Sequence, residues 1–316
     1  MENYVYANYR GNIKKYFGRI EIMLIFFADG RLGNQLFQYA FLKTIAKKNE
    51  TLIIYDFDSI IDVFDLPSRK TLIKKWRNYH YQGIIGKLII RRFLVLLSRI
   101  RLISLIQQDV DYYNGFKYSS DTYTKKMGIM PFRFVDTGFF QSEKFFDDNV
   151  INDIKIKSKH LNKANNLLAN IPSNKHKIFV HIRRLDYINE SCFGIKGLTL
   201  PWAYYQTCIK WFETNIENPF FIFLSDDTEF VEYCFNDIEN KVIFNNEIGV
   251  DFAVMVLCKS GIISNSSFSW WGAYLMKERH QVFAPKYWMG YKSHKEFPKG
   301  IYTDKFRFID VFDPKL

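Results

Sequence analysis

The chain has 316 residues, a formal net charge of +11 and 48% hydrophobic residues, enough to bury two cores and too apolar for a disordered chain. Its four cysteines, Cys192, Cys208, Cys234 and Cys258, stand far apart without a C-x-x-C pair, which argues against a zinc site or disulfide framework and for a reduced, cytoplasmic chain. The first residues are polar and charged where a signal peptide needs an apolar core, and no apolar run reaches the roughly 18 residues of a membrane span.

Residues 1–20 read as an N-terminal extension. The run "IMLIFFA", 22–28, predicts a strand that ends in the glycine turn "DGRLGNQ". The following "LFQYAFLKTIAKKN" puts Phe37, Phe41 and Ile45 on one helical face, with Lys47 and Lys48 where cations suit the negative end of the helix dipole. "TLIIYDF" is the next strand, so the segment is a βαβ unit opening an N-terminal domain over residues 21–160.

From about Ser68 to Met130 the pattern is basic and poorly periodic. Between Leu66 and Gln108 no acidic residue occurs, while Arg69, Lys70, Lys74, Lys75, Arg77, Lys87, Arg91, Arg92, Arg99 and Arg101 all do. Ile84, Ile85, Leu88, Ile89, Phe93, Leu96 and Leu97 interleave with these cations at helical spacing. That spacing fits a helix lying on an anionic membrane surface, which would make the protein peripheral at the inner face of the membrane, and equally a core helix with a solvated basic face. No helix-turn-helix, zinc or RNA-recognition signature accompanies the charge, so a nucleic-acid partner is not expected.

"FRFVDTGFFQSEKFF" restores a strand-turn pattern, and the Asn- and Lys-rich stretch 152–175 holds the boundary to a second domain over 161–316. Beyond it "KIFVHI", "PFFIFLS", "KVIFN", "GIIS" and "QVFAP" are continuous rather than alternating apolar runs, the pattern of strands covered on both faces. The expected architecture is α/β, with two Rossmann-like domains whose parallel sheets face each other across a cleft.

Open parallel sheets bind ligands beyond the carboxyl ends of their strands, which singles out four polar clusters, "DGRLGNQ", "HIRRLDY", "SDD" and "SNSSFSWWGAYL". In "HIRRLDY" His181 and Arg183 project to one side at a strand end, Arg184 and Asp186 follow in the turn, and an arginine fork suits a phosphate as well as a simple Arg–Asp pair. In "SNSSFSWW" Ser266 or Ser267 can cap a helix whose free N–H groups suit phosphate oxygens, with Trp270 and Trp271 as core. "LSDD" offers Asp226 and Asp227 as a metal-diphosphate pair, as acceptors for guanine N1 and N2, or as a helix cap. "DFD" at 56–58 mimics a metal-binding D-x-D but lies in the less phosphate-like half. "GRLGNQ" is neither a dinucleotide fingerprint nor a P-loop; its glycines allow close backbone approach, and its Asn-Gln pair can bond a sugar or phosphate.

Taken in order, "GRLGNQLFQYA", "GFFQSEKFF", "HIRRLDY", "FFIFLSDD" and "NSSFSWWGAYL" resemble segments of the bacterial α-1,2-fucosyltransferases, glycosyltransferase family 11, from about Leu24 to Pro285. The resemblance implies a GT-B fold, GDP-L-fucose as donor, the 2-hydroxyl of a galactose-terminated glycan as acceptor, inversion at the fucose carbon, and neither a cofactor nor a metal. It implies that Arg183, first arginine of H-x-R-R-x-D, meets the donor diphosphate, with His181 and Asp186 shaping the site and Arg184 in support. Asp227 would bind guanine, Ser266 and Ser267 the phosphates with Asn265 and Phe268 beside them, and Asn34 would sit near the reacting centre between Gly33 and Gln35. Two positions depart from the family: Leu185 replaces a common glycine and puts the local turn in question, and Arg31 replaces a second glycine. A nucleotide-sugar-binding protein without turnover, and a transferase of a different GDP-sugar, are the competing readings.

Overall fold

The computed structural model describes residues 22–66, 71–74 and 80–316. The N-terminal extension, the cations Arg69, Lys70, Lys75 and Arg77, and the side chains of Ile84 and Ile85 lie outside the described residues.

The first half contains β1 (Ile22–Phe27), α1 (Leu32–Ile45), β2 (Glu50–Tyr55), α2 (Asp58–Val63), β3 (Phe64–Asp65), β4 (Thr71–Lys74), α3 (His80–Arg99), β5 (Ser104–Tyr113), β6 (Phe116–Lys126) and β7 (Phe132–Val135). A short α4 (Asp148–Ile151) and β8 (Lys155–Ile156), which pairs back onto β3, lead to α5 (Ser158–Ala169). The second half runs through β9 (His176–Ile182), the two-residue strands β10 (Ser191–Cys192) and β11 (Ile195–Lys196), α6 (Trp202–Asn215), β12 (Pro219–Ser225), α7 (Thr228–Cys234) and β13 (Lys241–Phe244). It ends with α8 (Ile248–Leu257), β14 (Ser260–Ile262), α9 (Ser267–Tyr274), β15 (Gln281–Pro285) and β16 (Arg307–Ile309).

The second sheet has the order β13-β12-β9-β14-β15-β16, with every neighbouring pair parallel. Counted within this half, that is 3-2-1-4-5-6, the doubly wound order whose switch point lies between the first and fourth strands. All five apolar runs read in this half are its strands. They read as continuous because the sheet is covered on both faces: Phe179 and Ile222 pack toward α8 and α9, Val180 and Phe223 toward α6.

The first sheet, β4-β2-β1-β7-β5-β6, is parallel except at β5–β6. Here the expected parallel sheet is corrected: residues 104–126, read as unpatterned basic chain, form an antiparallel hairpin at the sheet edge. Its turn is Asn114-Gly115, both with positive φ (48° and 80°), as a tight two-residue hairpin turn requires.

The halves share a core. Phe37 of α1 lies 4.7 Å from the ring of Trp270 and 5.0 Å from that of Trp271, both on α9 and both fully buried, as the sequence reading expects. At the other end of the cleft the hairpin tip reaches across. Tyr113 packs on Phe193 at 4.9 Å and donates to the Ser293 carbonyl at 3.4 Å, and Lys299 pairs with Asp111 at 3.0 Å. The packed α1–α9 pair and the hairpin clasp thus both join the two halves.

Candidate active site

Because β9 is hydrogen-bonded to β12 on one side and β14 on the other, the loops 183–187, 225–227 and 263–267 leave the sheet side by side at its switch point. "HIRRLDY", "SDD" and "SNSS" therefore converge, as their positions after apolar runs predict.

Arg183 is the centre of this convergence. Its guanidinium bonds Asp186 Oδ2 through Nη2 at 2.6 Å and Asp226 Oδ2 through Nη1 at 3.1 Å, so the planar fork is fixed from two sides. Burial opposes its charge, but the hydrogen bond to Asp186 and the charge of Asp226 outweigh it and hold the pKa above the ordinary value. Burial likewise pushes Asp186 up, yet the Arg183 hydrogen bond and charge, then Arg31, bring it below the usual carboxylate range. Asp186 is thus ionised and a weak base.

Leu185, suspected of distorting the turn, has φ −50° and ψ −58° and is 55% exposed. The turn is right-handed there, so no glycine is needed. Arg31, the other departure, reaches across the cleft from the first half and pairs with Asp186 at 3.2 Å.

Arg184 turns the opposite way. Its Nε bonds Asp227 Oδ2 at 2.9 Å, its guanidinium lies 3.7 Å from the Phe230 ring centre, and its backbone N–H donates to Asp226 Oδ1 at 2.9 Å. Asp227 Oδ1 accepts from Phe230 N at 3.1 Å and caps α7, so the helix-cap reading is the geometry found. Each aspartate of the pair is matched to a guanidinium.

His181 is 6% exposed and shares a hydrogen bond of 2.8 Å between Nδ1 and Ser264 Oγ. Burial, with Arg183 nearby, pushes its pKa down to about 3. The imidazole is neutral at physiological pH and, through Ser264, supports the 264–267 loop. Asn265, 1% exposed, also holds this loop: its Nδ2 donates to Leu198 O at 2.9 Å, and Tyr187 donates to its carbonyl at 3.2 Å. Ser266 is the N-cap of α9 and makes no side-chain capping bond, which leaves its hydroxyl and the first-turn N–H groups to serve a ligand. Phe268 lies against the His181 ring at 5.5 Å.

From the first half, α1 brings its N-terminus against that of α9. A Cβ on Gly33 would stand 2.4 Å from Phe268 N, so the close approach that Gly33 permits is to the other half of the protein rather than to a ligand. Gln35 is engaged within its own half. It is 4% exposed, its Nε2 donates to the carbonyls of Gly30 and Asp56 at 3.2 Å each, and its Oε1 accepts from Ile60 N at 3.0 Å, so it staples the turn. Asn34 faces the cleft, and its Oδ1 accepts from Ser267 Oγ at 2.9 Å and from Gln141 Nε2 at 2.8 Å. Asp29, exposed beside it, accepts from Gly30 N at 2.7 Å. Asp56 of "DFD" pairs with Lys87 at 2.7 Å.

Gln141, Ser264, Tyr187 and the cross-cleft role of Arg31 were not read from the sequence. Gln141 follows the apolar run "FRFV", so the rule that found "HIRRLDY" applies to it as well.

Two α/β halves with ligand-binding loops opposed across a cleft are the GT-B class of transferase. The model of "Glycosyl transferase family 11" matches residues 90–309, and the chain belongs to that family. It is 26% identical to the O-antigen biosynthesis glycosyltransferase WbnK of Escherichia coli over 82% of this chain and 93% of that protein. It is 28% identical to an alpha-1,2-colitosyltransferase of Escherichia coli over 78% of this chain and 85% of the other. Among solved structures, NodZ alpha-1,6-fucosyltransferase co-crystallized with GDP superposes with a TM-score of 0.50 at 13% identity, covering 83% of this chain and 94% of that one. A family 9 glycosyl transferase from Veillonella parvula gives 0.51 at 10% identity, covering 92% and 87%. At these identities the solved structures speak for the fold.

Proposed function

We propose that the protein is an inverting transferase that moves L-fucose from GDP-L-fucose to the 2-hydroxyl of a terminal galactoside in a surface glycan. The observation that carries the reading is Arg183, a doubly held guanidinium at the switch point, beside the uncapped N-terminus of α9. The diphosphate lies on Arg183, Ser266 and Ser267, while Arg184, Asp227 and Phe230 form the base end, where an aspartate oxygen accepts from guanine.

Departure of GDP breaks the C1–O bond of fucose with oxocarbenium character and leaves negative charge on the β-phosphate. Arg183 meets charge that grows in the transition state, which is where an interaction raises kcat. That task falls to the guanidinium and the helix end, while Asp226 and Asp227 each hold an arginine in place. Asp29 accepts the proton of the acceptor hydroxyl: it is exposed at the cleft, whereas Asp186 is held ionised by Arg183. Asn34 Nδ2 lies over Gly30, whose φ of +76° and missing Cβ make room for it, and it orients the reacting groups.

The four free cysteines support a cytoplasmic setting. Among the described residues no helix is long and apolar enough to cross a membrane. Contact with the inner face of an anionic membrane runs through α3, where Leu88, Ile89, Phe93 and Leu96 are 45–61% exposed and Arg92 and Arg99 stand among them. A groove of about 550 Å³ along this helix is lined by Leu88, Arg91, Arg92, Val95, Leu96, Arg99 and Asp136.

The colitosyltransferase relative favours one second reading, a different GDP-linked deoxysugar in the same donor site. Mass spectrometry of products from GDP-fucose with lactose, lacto-N-biose and N-acetyllactosamine decides. A fucoside with released GDP is expected; no fucoside, with turnover of another GDP-sugar, replaces the donor, and no turnover with any donor leaves a binding protein.

A further inference from the structure

The strand β1 sits at the switch point of the first sheet, with β2 on one side and β7 on the other. The segments after β1 and β7 therefore leave the sheet together; the first carries Asn34 in the opening turn of α1, and the second carries Gln141. They are tied by Gln38, whose Nε2 donates to Gly138 O at 3.1 Å and whose Oε1 accepts from Asp29 N at 3.4 Å.

The backbone that delivers Gln141 is strained. Phe140 has φ +52°, in the left-handed region that a bulky side chain seldom adopts. It is held there by a hydrogen bond from its N–H to Gln108 Oε1 at 3.1 Å and by its ring, which stacks on Phe41 with centroids 3.9 Å apart and an interplanar angle of 17°. A core fold that keeps such a conformation fixes the direction of the next side chain. That side chain is Gln141, and its amide N–H meets Asn34 Oδ1.

An asparagine amide has two faces of opposite character, an acceptor oxygen and a donor nitrogen. The Oδ1 of Asn34 is the atom on which Gln141 from its own domain and Ser267 from the other converge, and Nδ2 is turned to the Gly30 side. From this geometry we infer that Gln141 is a positioning residue, which keeps Asn34 in the amide orientation that presents an N–H donor to the reacting groups. Ser267, from the other half, completes that orientation. The inference rests on the proposed transfer reaction for its kinetic consequence and on the hydrogen bonds alone for the orientation.

Three variants separate the roles. Gln141→Leu removes the donor and leaves Asn34 free to turn, and kcat falls about tenfold with the donor KM unchanged. Gln141→Glu offers only acceptor oxygens, so the Asn34 amide reverses to donate to it and shows oxygen to the cleft. Its kcat falls on the order of 100-fold, matching Asn34→Ala, and combining it with Asn34→Ala adds no further loss. A readout independent of turnover is the Asn34 side-chain NH2 signal in protein labelled with 15N-asparagine, assigned by its loss in Asn34→Ala. GDP shifts this signal in the wild type and leaves it unmoved in Gln141→Glu. Equal kcat for Gln141→Glu and wild type, additive losses in the double variant, or an unchanged Asn34 signal response in Gln141→Glu each overturn the positioning role. Absence of any transfer by the wild type, with the signal behaving as stated, removes the proposed reaction and leaves the positioning intact.

Discussion

The two sheets start alike, with a βαβ turn at a central strand, and then diverge. The second completes the doubly wound order with six parallel strands, while the first trades its last parallel strand for the β5–β6 hairpin. The parallel sheet gathers charged loops at one switch point, where a compact anion can be held. The hairpin instead reaches across to Phe193, Ser293 and Lys299 and gives its half a wall rather than a pocket. On the proposed function, one half would bind a fixed chemical group, the donor, and the other would shape the space into which a variable partner, the acceptor, is admitted.

The sharpest break of this division is Arg183→Ala. Transfer should fall on the order of 100-fold or more while thermal unfolding stays cooperative, because the residue meets charge and is not core. Near-normal turnover would move the donor site elsewhere. Asp29→Asn tests the acceptor half: kcat should drop about 100-fold, and an unchanged rate excludes Asp29 as the base. Gly33→Ala tests the seam between the halves. Its Cβ would meet α9 backbone at 2.4 Å, and overpacking of this kind costs about 1–3 kcal/mol. A lowered Tm with weaker donor turnover is expected, whereas a neutral outcome would mean the halves can part without cost.

His181 sharpens the comparison through pH. Its folded pKa of about 3 lies below the ordinary 6.5, so the folded state resists taking the proton that the unfolded chain accepts. Its contribution to stability is therefore full above pH 6.5 and is lost progressively as pH falls toward 3. His181→Gln, which keeps a partner for Ser264 without titrating, should lessen the loss of stability between pH 6.5 and 4; parallel curves for variant and wild type would refute the buried neutral imidazole. The smallest effect belongs to α3. Phe93→Asp with Ile89→Asp should abolish sedimentation with anionic vesicles and leave turnover of a soluble acceptor unchanged, and retained vesicle binding would take the membrane contact away from this helix.

How legible each half was follows from its burial. Strands β9, β12 and β14 are buried on both faces and show as apolar runs, so the polar residues after them could be picked out as a site. The hairpin was illegible because β6 is exposed along most of its length and carries Lys117, Lys125 and Lys126, which hid the strand pattern among basic residues; its one clear mark, Asn114-Gly115, was there to be read. Within the site, residue type gave charge but not direction. Nothing in "HIRRLDY" says that Arg183 turns to Asp226 while Arg184 turns to Asp227, because strand register decides that. Gln35 and Gly33 were assigned to ligand because their chemistry permits it, and packing used that chemistry first.

The meeting of α1 and α9, N-terminus to N-terminus, has a consequence for what can sit between them. Each end carries roughly half a positive elementary charge, yet the halves are held together there by the buried Phe37–Trp270 contact and by the Arg31–Asp186 pair across the cleft. On the proposed function, a dianionic diphosphate at that seam would act as mortar between two ends already in contact, and GDP would leave without taking the joint with it.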